Sequence, residues 1–318
     1  MRARLFATRR LPIDHAEVVD TGVLVASFEA DRAPTSEELV DGARGAHAIV
    51  TQVSDRIDGS VLDRLPGLRH VAQMAVGFDN IDVAACRARK VLVTHTPDAL
   101  TDSTAELAFG LLVAVARRFH EGQALVRTGS WRGFSPTLLL GRELVGSTLG
   151  IVGYGRIGRA LAVRAKAFGM RVIASTRRDA PFAPDGVASH APFARLLAES
   201  DFVSLHCPAT PSTRHLLGDE ELAAMKPGAI LINTARGTVV DEAALVRALE
   251  RRQLGGAGLD VYEREPVVHP GLLGRSDVVL LPHLGSATQE ARARMAVCAL
   301  EDACRVLRGE APLHPVPD

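Results

Sequence analysis

Three side chains with complementary chemistry follow three short apolar runs in the last third of this chain. Arg236 comes after AILINTA, Glu265 shortly after GAGLDVY, and His283 ends VVLLPH. A guanidinium can fork onto a planar carboxylate, an imidazole can pass a proton near neutral pH, and a neighbouring carboxylate favours the charged imidazolium. Taken singly, each has a structural alternative. Arg236 could pair with Asp241 or Glu242, Glu265 could be a solvated loop acid beside Pro266, and His283 could be a satisfied buried histidine. Taken together they match what reduction of a 2-keto acid requires: a cation for carboxylate and carbonyl, a proton donor, and an acid that orients and charges that donor.

A hydride must come from elsewhere, and Gly153-Tyr154-Gly155-Arg156-Ile157-Gly158 offers the place for its carrier. It follows the run TLGIV and opens RIGRALAVRAKAFG, the strand-turn-helix context in which G-x-G-x-x-G binds a dinucleotide. Gly153 makes the tight turn, Gly155 lets pyrophosphate approach the backbone, and Gly158 lets helix and strand pack. Arg156 and Ile157 begin the helix, whose N-terminal N–H groups and dipole favour phosphate. About 20 residues on, where NAD sites place an acid, VIASTRRDA offers Ser175, Thr176, Arg177 and Arg178. Threonine removes the charge that would repel a 2′-phosphate, and the arginines can bind one; Asp179 pulls the other way. The expectation is NADP(H) in preference to NAD(H), with NAD possible and a plain solvated basic loop as the alternative. No metal site is read from the sequence.

Positioning these residues needs parallel sheet. GVLVASFE, AHAIVTQV, LRHVAQMAVG and VLVTHTP alternate with amphipathic segments, and a second α/β series starts near Thr148 and ends at VVLLPH. Only about 30 residues follow it, too few for a third ordinary domain. The second domain is therefore expected to be inserted into the first, with a last helix from roughly Thr288 to Leu307 returning to the N-terminal part. T-x-x-E at Thr35–Glu38 and S-x-x-E at Ser103–Glu106 read as capping boxes that start helices, so Glu106 is expected to serve as a cap rather than in catalysis.

With 37 basic against 37 acidic residues, no net field recruits nucleic acid or an anionic membrane. LAFGLLVAVA is too short to span a bilayer. The four cysteines, Cys86, Cys207, Cys298 and Cys304, show no disulfide spacing, and MRARLFATRR lacks the apolar run of a signal peptide, which points to the cytoplasm.

The motifs VGYGRIGRALA, DFVSLHCPATPSTRHLL, MKPGAILINTARGTVVDEAAL, GAGLDVYEREP and LLPHLGSAT resemble the D-isomer-specific 2-hydroxyacid dehydrogenases from about Leu68 to the C-terminus. The resemblance implies an α/β protein of two Rossmann-like or flavodoxin-like parallel-sheet domains. The dinucleotide-binding domain, 99–287, would be inserted into a substrate-binding domain made of 1–98 and 288–318. It implies that Arg236 holds the substrate, that His283 is the acid/base and that Glu265 pairs with it. Asp260 would face the nicotinamide carboxamide, and Cys207 and Thr234 would line the cofactor. The backbone N–H groups of Val76 and Gly77, together with Gly285, would contact the substrate.

Glyoxylate and hydroxypyruvate reductases are the most similar subgroup, although their W-x-x-W-x-P segment near Trp131 has Phe134 at its second aromatic position. Phosphoglycerate remains an alternative substrate. Phosphite is disfavoured because those enzymes carry lysine where this chain has Val76. A non-catalytic dinucleotide-sensing protein of the same fold is the rival class. The resemblance also implies a homodimer formed through the dinucleotide-binding domain, with Ala105–Trp131 as the candidate arm.

Overall fold

The computed structural model describes residues 2–19, 22–176 and 186–317. Arg177 and Arg178, on which the 2′-phosphate expectation rests, lie outside them. The chain divides into two compact units, one of Met1–Leu100 with Ala287–Asp318, the other Thr101–Ser286.

The first unit holds a five-stranded sheet of β1 (Ala3–Ala7), β2 (Val23–Ser27), β3 (Ala48–Thr51), β4 (His70–Gln73) and β5 (Leu92–Thr94), in the order β2-β1-β3-β4-β5. All its pairs are parallel, and the order is the flavodoxin-like one. β1 is a strand that the β-branched pattern passes over. ARLFA has no β-branched residue, yet it pairs with both β2 and β3 because Leu5, Phe6 and Ala7 are buried. The helix Gln289–Leu307, capped by the Thr288 side chain, packs on β3 and β4, which closes the first unit with the last helix of the chain.

The second unit holds seven strands: β6 (Thr148–Val152), β7 (Arg171–Ser175), β8 (Ser189–His190), β9 (Phe202–Leu205), β10 (Ala229–Asn233), β11 (Leu254–Leu259) and β12 (Val278–Leu280). Their order is β12-β11-β10-β9-β6-β7-β8, again all parallel. The three central strands β6, β9 and β10 are buried along their whole length, as parallel strands covered on both faces must be. The chain leaves β6 in one direction and returns at β9 on its other side. The crevice between their carboxyl ends is thus a topological switch point, where open α/β sheets collect ligands.

Thr35 and Glu38 form the capping box expected of them. The second expected box does not form. The helix Thr101–Ala116 begins a half-turn before Ser103, so Ser103 and Glu106 lie inside it, and Glu106 pairs with Arg164 at 3.0 Å. The expected arm from Ala105 to Trp131 is two helices, Thr101–Ala116 and Phe119–Arg127, separated where Arg118 adopts a positive φ. Among the described residues no helix is long and apolar enough to cross a membrane.

Candidate active site

β10, β11 and β12 are adjacent in the sheet, so the loops leaving their carboxyl ends lie side by side. These loops carry Arg236, Glu265 and His283. Glu265 Oε2 is 2.8 Å from His283 Nδ1, and Glu265 Oε1 accepts the Tyr262 N–H at 3.0 Å. With a carboxylate as acceptor, Nδ1 carries the hydrogen, and Nε2 is the ring atom left to exchange a proton. The two side chains are about one-third exposed, at 31% and 35%, which leaves the pair reachable by a small molecule.

Burial pushes the Glu265 carboxyl up. The hydrogen bond and charge of His283, the Tyr262 N–H and the charge of Arg236 together outweigh it and hold the group below its ordinary value. The acid is therefore ionised at neutral pH. His206, the other imidazole near this edge, differs. It is enclosed against Ser204 Oγ at 2.8 Å, and burial drives it down to about 4, so it stays neutral.

The loops are held by side chains that sequence patterns did not single out. Asn233 clamps the Arg236 loop, donating from Nδ2 to the Arg236 carbonyl at 2.9 Å and accepting the Ala235 N–H at 3.0 Å. A Cβ on Gly237 would sit 1.8 Å from the Tyr262 carbonyl carbon, so only glycine lets the loops carrying Arg236 and Glu265 come so close. Tyr262 donates its hydroxyl to the Leu281 carbonyl at 2.8 Å, joining the β11 loop to the segment entering His283. Buried Glu242 accepts the Glu263 N–H at 2.7 Å. Asp241 caps the helix Glu242–Glu250 by accepting the Ala244 N–H.

Asp260 is buried, and its two carboxylate oxygens accept the N–H groups of Leu284 at 2.6 Å and Gly285 at 2.8 Å, while its carbonyl accepts that of His283 at 2.9 Å. Burial raises its carboxyl above the ordinary value despite these bonds. The residue thereby fixes the backbone on which His283 takes a φ of 56°, a left-handed conformation uncommon for a side chain of this size. The Gly285 N–H is engaged by Asp260, and the Gly285 carbonyl accepts from Thr104 Oγ1 at 3.1 Å.

At the switch point the first glycine, Gly153, has φ 95°, and an added Cβ would lie 2.6 Å from the Cys207 nitrogen. A Cβ on Gly158 would lie 2.4 Å from the Gly153 carbonyl oxygen, whereas one on Gly155 would meet nothing within 4 Å. Gly155 thus borders open space at the start of the helix Arg156–Ala167. That helix has no side-chain cap and no acidic residue in its first turn, and it buries Gly158, Leu161, Ala162 and Ala165 as one stripe. Its N–H groups and dipole favour an anion.

Among the described residues the buried Thr234 hydroxyl has no hydrogen-bond partner, an orphan that a polar ligand would satisfy. Cys207 follows β9 beside this turn, and burial pushes its thiol up to about 11, which excludes a thiolate nucleophile at neutral pH. These features fit a dinucleotide with its pyrophosphate at Gly155. Ser175 ends β7 as a buried residue whose carbonyl accepts the Gly153 N–H at 2.9 Å, and Thr176 follows it half-buried.

In the first unit, the Val76 carbonyl accepts from His95 Nδ1 at 2.9 Å. This turns the Gly77 N–H of the same planar peptide the opposite way. Gln73 Nε2 donates to the Gly77 carbonyl at 3.1 Å.

Comparison with known proteins shows the family to which the chain belongs. The family described as D-isomer specific 2-hydroxyacid dehydrogenase, NAD binding domain, matches residues 109–285. A glyoxylate reductase of Thermococcus litoralis is 46% identical over 317 residues, spanning 98% of this chain and 96% of that one. A crystal structure from Thermus thermophilus superposes with a TM-score of 0.92 at 46% identity, covering 99% of this chain and 100% of the other. An NADPH-dependent glyoxylate/hydroxypyruvate reductase from Sinorhizobium meliloti, solved with NADP and malonate, superposes at 0.86 with 32% identity, covering 99% and 97%. With the match extending over both units, the chain belongs to the D-isomer specific 2-hydroxyacid dehydrogenases, enzymes that use a nicotinamide dinucleotide.

Proposed function

We propose that this enzyme reduces a small 2-keto acid, glyoxylate or hydroxypyruvate first among them, to the D-2-hydroxy acid with NADPH. The observation that carries the reading is the His283–Glu265 pair at 2.8 Å, on loops adjacent to the one bearing Arg236. Relatives named glyoxylate reductase, 43–46% identical over 98% of the chain, support the choice of substrate.

The bound reduced nicotinamide supplies the hydride. Arg236 pairs with the substrate carboxylate and polarises the carbonyl. His283, held at Nδ1 by ionised Glu265, delivers a proton from Nε2 to the oxygen as it becomes an alkoxide. Glu265 keeps its own proton off and holds the ring by Nδ1. Asp260 and Tyr262 keep the two loops in register. Asp260 facing the carboxamide and Gly285 contacting the substrate rest on the resemblance; the described bonds give both a positioning role as well.

A panel of glyoxylate, hydroxypyruvate, pyruvate and phosphohydroxypyruvate, each with NADPH and NADH, tests the assignment. The highest kcat/KM is expected for glyoxylate or hydroxypyruvate; tight dinucleotide binding without turnover of any of them would move the chain to the sensing class. NADPH preference rests on Thr176 in place of an acid and on Arg177 and Arg178. A charge-assisted bond to phosphate contributes about 1.5–3 kcal/mol, so Arg177→Ala or Arg178→Ala is expected to weaken NADPH by about 10- to 100-fold and leave NADH nearly unchanged. Equal use of both cofactors, with neither arginine mattering, would leave the stretch as a surface turn.

The enzyme is further proposed to act as a cytoplasmic homodimer, consistent with four free cysteines. Phe119, Val126, Trp131, Phe134 and Leu140 are all more than half exposed on and after the helix Phe119–Arg127. These side chains are the candidate dimer surface, and a monomer in sedimentation at micromolar concentration would remove the dimer arm.

A further inference from the structure

In the first unit, three metal-competent side chains that the proposed reaction does not use converge. Cys298 and Asp302 lie one helical turn apart on the helix Gln289–Leu307, and His314 comes from the tail that follows it. His314 Nδ1 is 3.3 Å from Cys298 Sγ and 3.0 Å from Asp302 Oδ2, and the three ligand atoms all fall within 4.8 Å of one another. We propose that Cys298, Asp302 and His314 form a binding site for one divalent transition-metal ion of the zinc type.

The distances carry the proposal. Tetrahedral zinc, with Zn–N and Zn–O of about 2.0 Å and Zn–S of about 2.3 Å, sets N···O near about 3.3 Å and N···S near about 3.5 Å. The observed 3.0 and 3.3 Å fall short of these by only about 0.3 Å or less, a small outward movement of one exposed ring. A single Nδ1–H can point at Oδ2 or at Sγ but not squarely at both, whereas a cation between the three atoms satisfies all of them. Sulfur, imidazole and one carboxylate oxygen are a donor set for zinc rather than for magnesium or calcium.

The site is also held in advance. Asp302 is fully buried, and its other oxygen, Oδ1, accepts the Leu313 N–H at 2.5 Å, which leaves Oδ2 as a single oriented ligand. The His314 backbone is fixed by its carbonyl accepting from His95 N–H at 3.1 Å. The next residues pair with β5 through the Thr94–Pro315 bridge and the Val316 N–H donating to the Val93 carbonyl at 3.0 Å. The His314 side chain is 30% exposed, so solvent can reach the fourth position.

Binding takes the proton off Sγ to solvent and leaves the imidazole with its hydrogen on Nε2, so one proton is released for each ion bound. Burial and the charges of Asp302 and Glu301 hold the Cys298 thiol up at about 12 when no cation is present; a cation at Sγ reverses that local field. The ion would staple the C-terminal tail to its helix.

Cobalt(II) added to the untagged full-length enzyme tests this, because a thiolate ligand gives a sulfur-to-cobalt charge-transfer absorption. The expected result is that absorption at one cobalt per chain, displaced by zinc, with zinc raising the unfolding temperature. Cys298→Ser abolishes the band and His314→Ala weakens cobalt by about 100-fold or more, both with unchanged circular dichroism. If Cys298→Ser fails to fold, His314→Ala on the tail carries the test. Absence of the band in the unsubstituted enzyme, its survival in Cys298→Ser, or unweakened cobalt affinity in His314→Ala overturns the site.

Discussion

The glycine turn after β6 and the loops after β10, β11 and β12 occupy one edge of one sheet, yet they are built in opposite ways. The turn is made by leaving side chains out. Gly153 and Gly158 each sit where a Cβ would strike backbone, and Gly155 borders open space. The three loops are made by wiring side chains in: Glu265 to His283 and to the Tyr262 N–H, Asp260 to Leu284 and Gly285, Asn233 to Ala235 and Arg236. A surface that must meet a phosphate chain needs room and N–H groups, and glycine supplies both. A surface that must move a proton needs fixed distances, and buried hydrogen bonds supply those. Substitutions in the two regions should therefore fail differently, the first in cofactor affinity and the second in turnover.

The largest effect is expected at the wired end. His283→Ala removes the proposed proton donor and should lower kcat for glyoxylate reduction by about 100-fold or more, with dinucleotide affinity retained. Loss of affinity at preserved kcat would place the residue with the turn instead. Arg236→Lys keeps the charge but loses the planar fork, and should cost on the order of 2 kcal/mol in kcat/KM, about 30-fold. Near-normal efficiency on glyoxylate would take Arg236 out of substrate binding. Gly158→Ala sharpens the comparison from the other side. Its Cβ would lie 2.4 Å from the Gly153 carbonyl oxygen, so the turn must shift, and cofactor Kd by fluorescence titration should rise about tenfold. At saturating cofactor, kcat should stay within a few-fold of the unsubstituted enzyme; a kcat loss as large as that of His283→Ala would contradict the division.

The two regions were also unequally legible in the sequence. The turn is a local pattern, and the strand before it and helix after it lie in one continuous segment, so Gly153 to Gly158 could be placed from residue order. The proposed reactive trio could be picked out because each member shortly follows an apolar strand run. Their support could not. Gly237 and Glu242 act only because β10 and β11 are neighbours, and Tyr262 because β12 lies beside β11; neighbour order is not written in any one segment. The same limit hid β1, whose Leu5 and Phe6 form a strand because β2 and β3 flank it. Local pattern misled at Ser103, where S-x-x-E sits inside a helix that already began at Thr101. The convergence of Cys298, Asp302 and His314 was invisible for a related reason: the first two are a helical turn apart, but the third arrives only because the tail pairs with β5.

The central claim is that Glu265 acts through the charge it lends to His283. In the folded enzyme the Glu265 carboxyl is held below its ordinary value of 4.5. Its ionised form is therefore favoured by folding, a contribution present above the unfolded value and lost as pH falls through the folded one. The acid limb of wild-type activity belongs below the ordinary carboxylate range for the same reason. Glu265→Gln keeps the shape and removes the charge that favours imidazolium. The decisive measurement is kcat/KM for glyoxylate reduction as a function of pH in both enzymes. The account predicts that kcat/KM falls in Glu265→Gln and that the acid limb set by the Glu265 carboxyl disappears; superimposable profiles would contradict it.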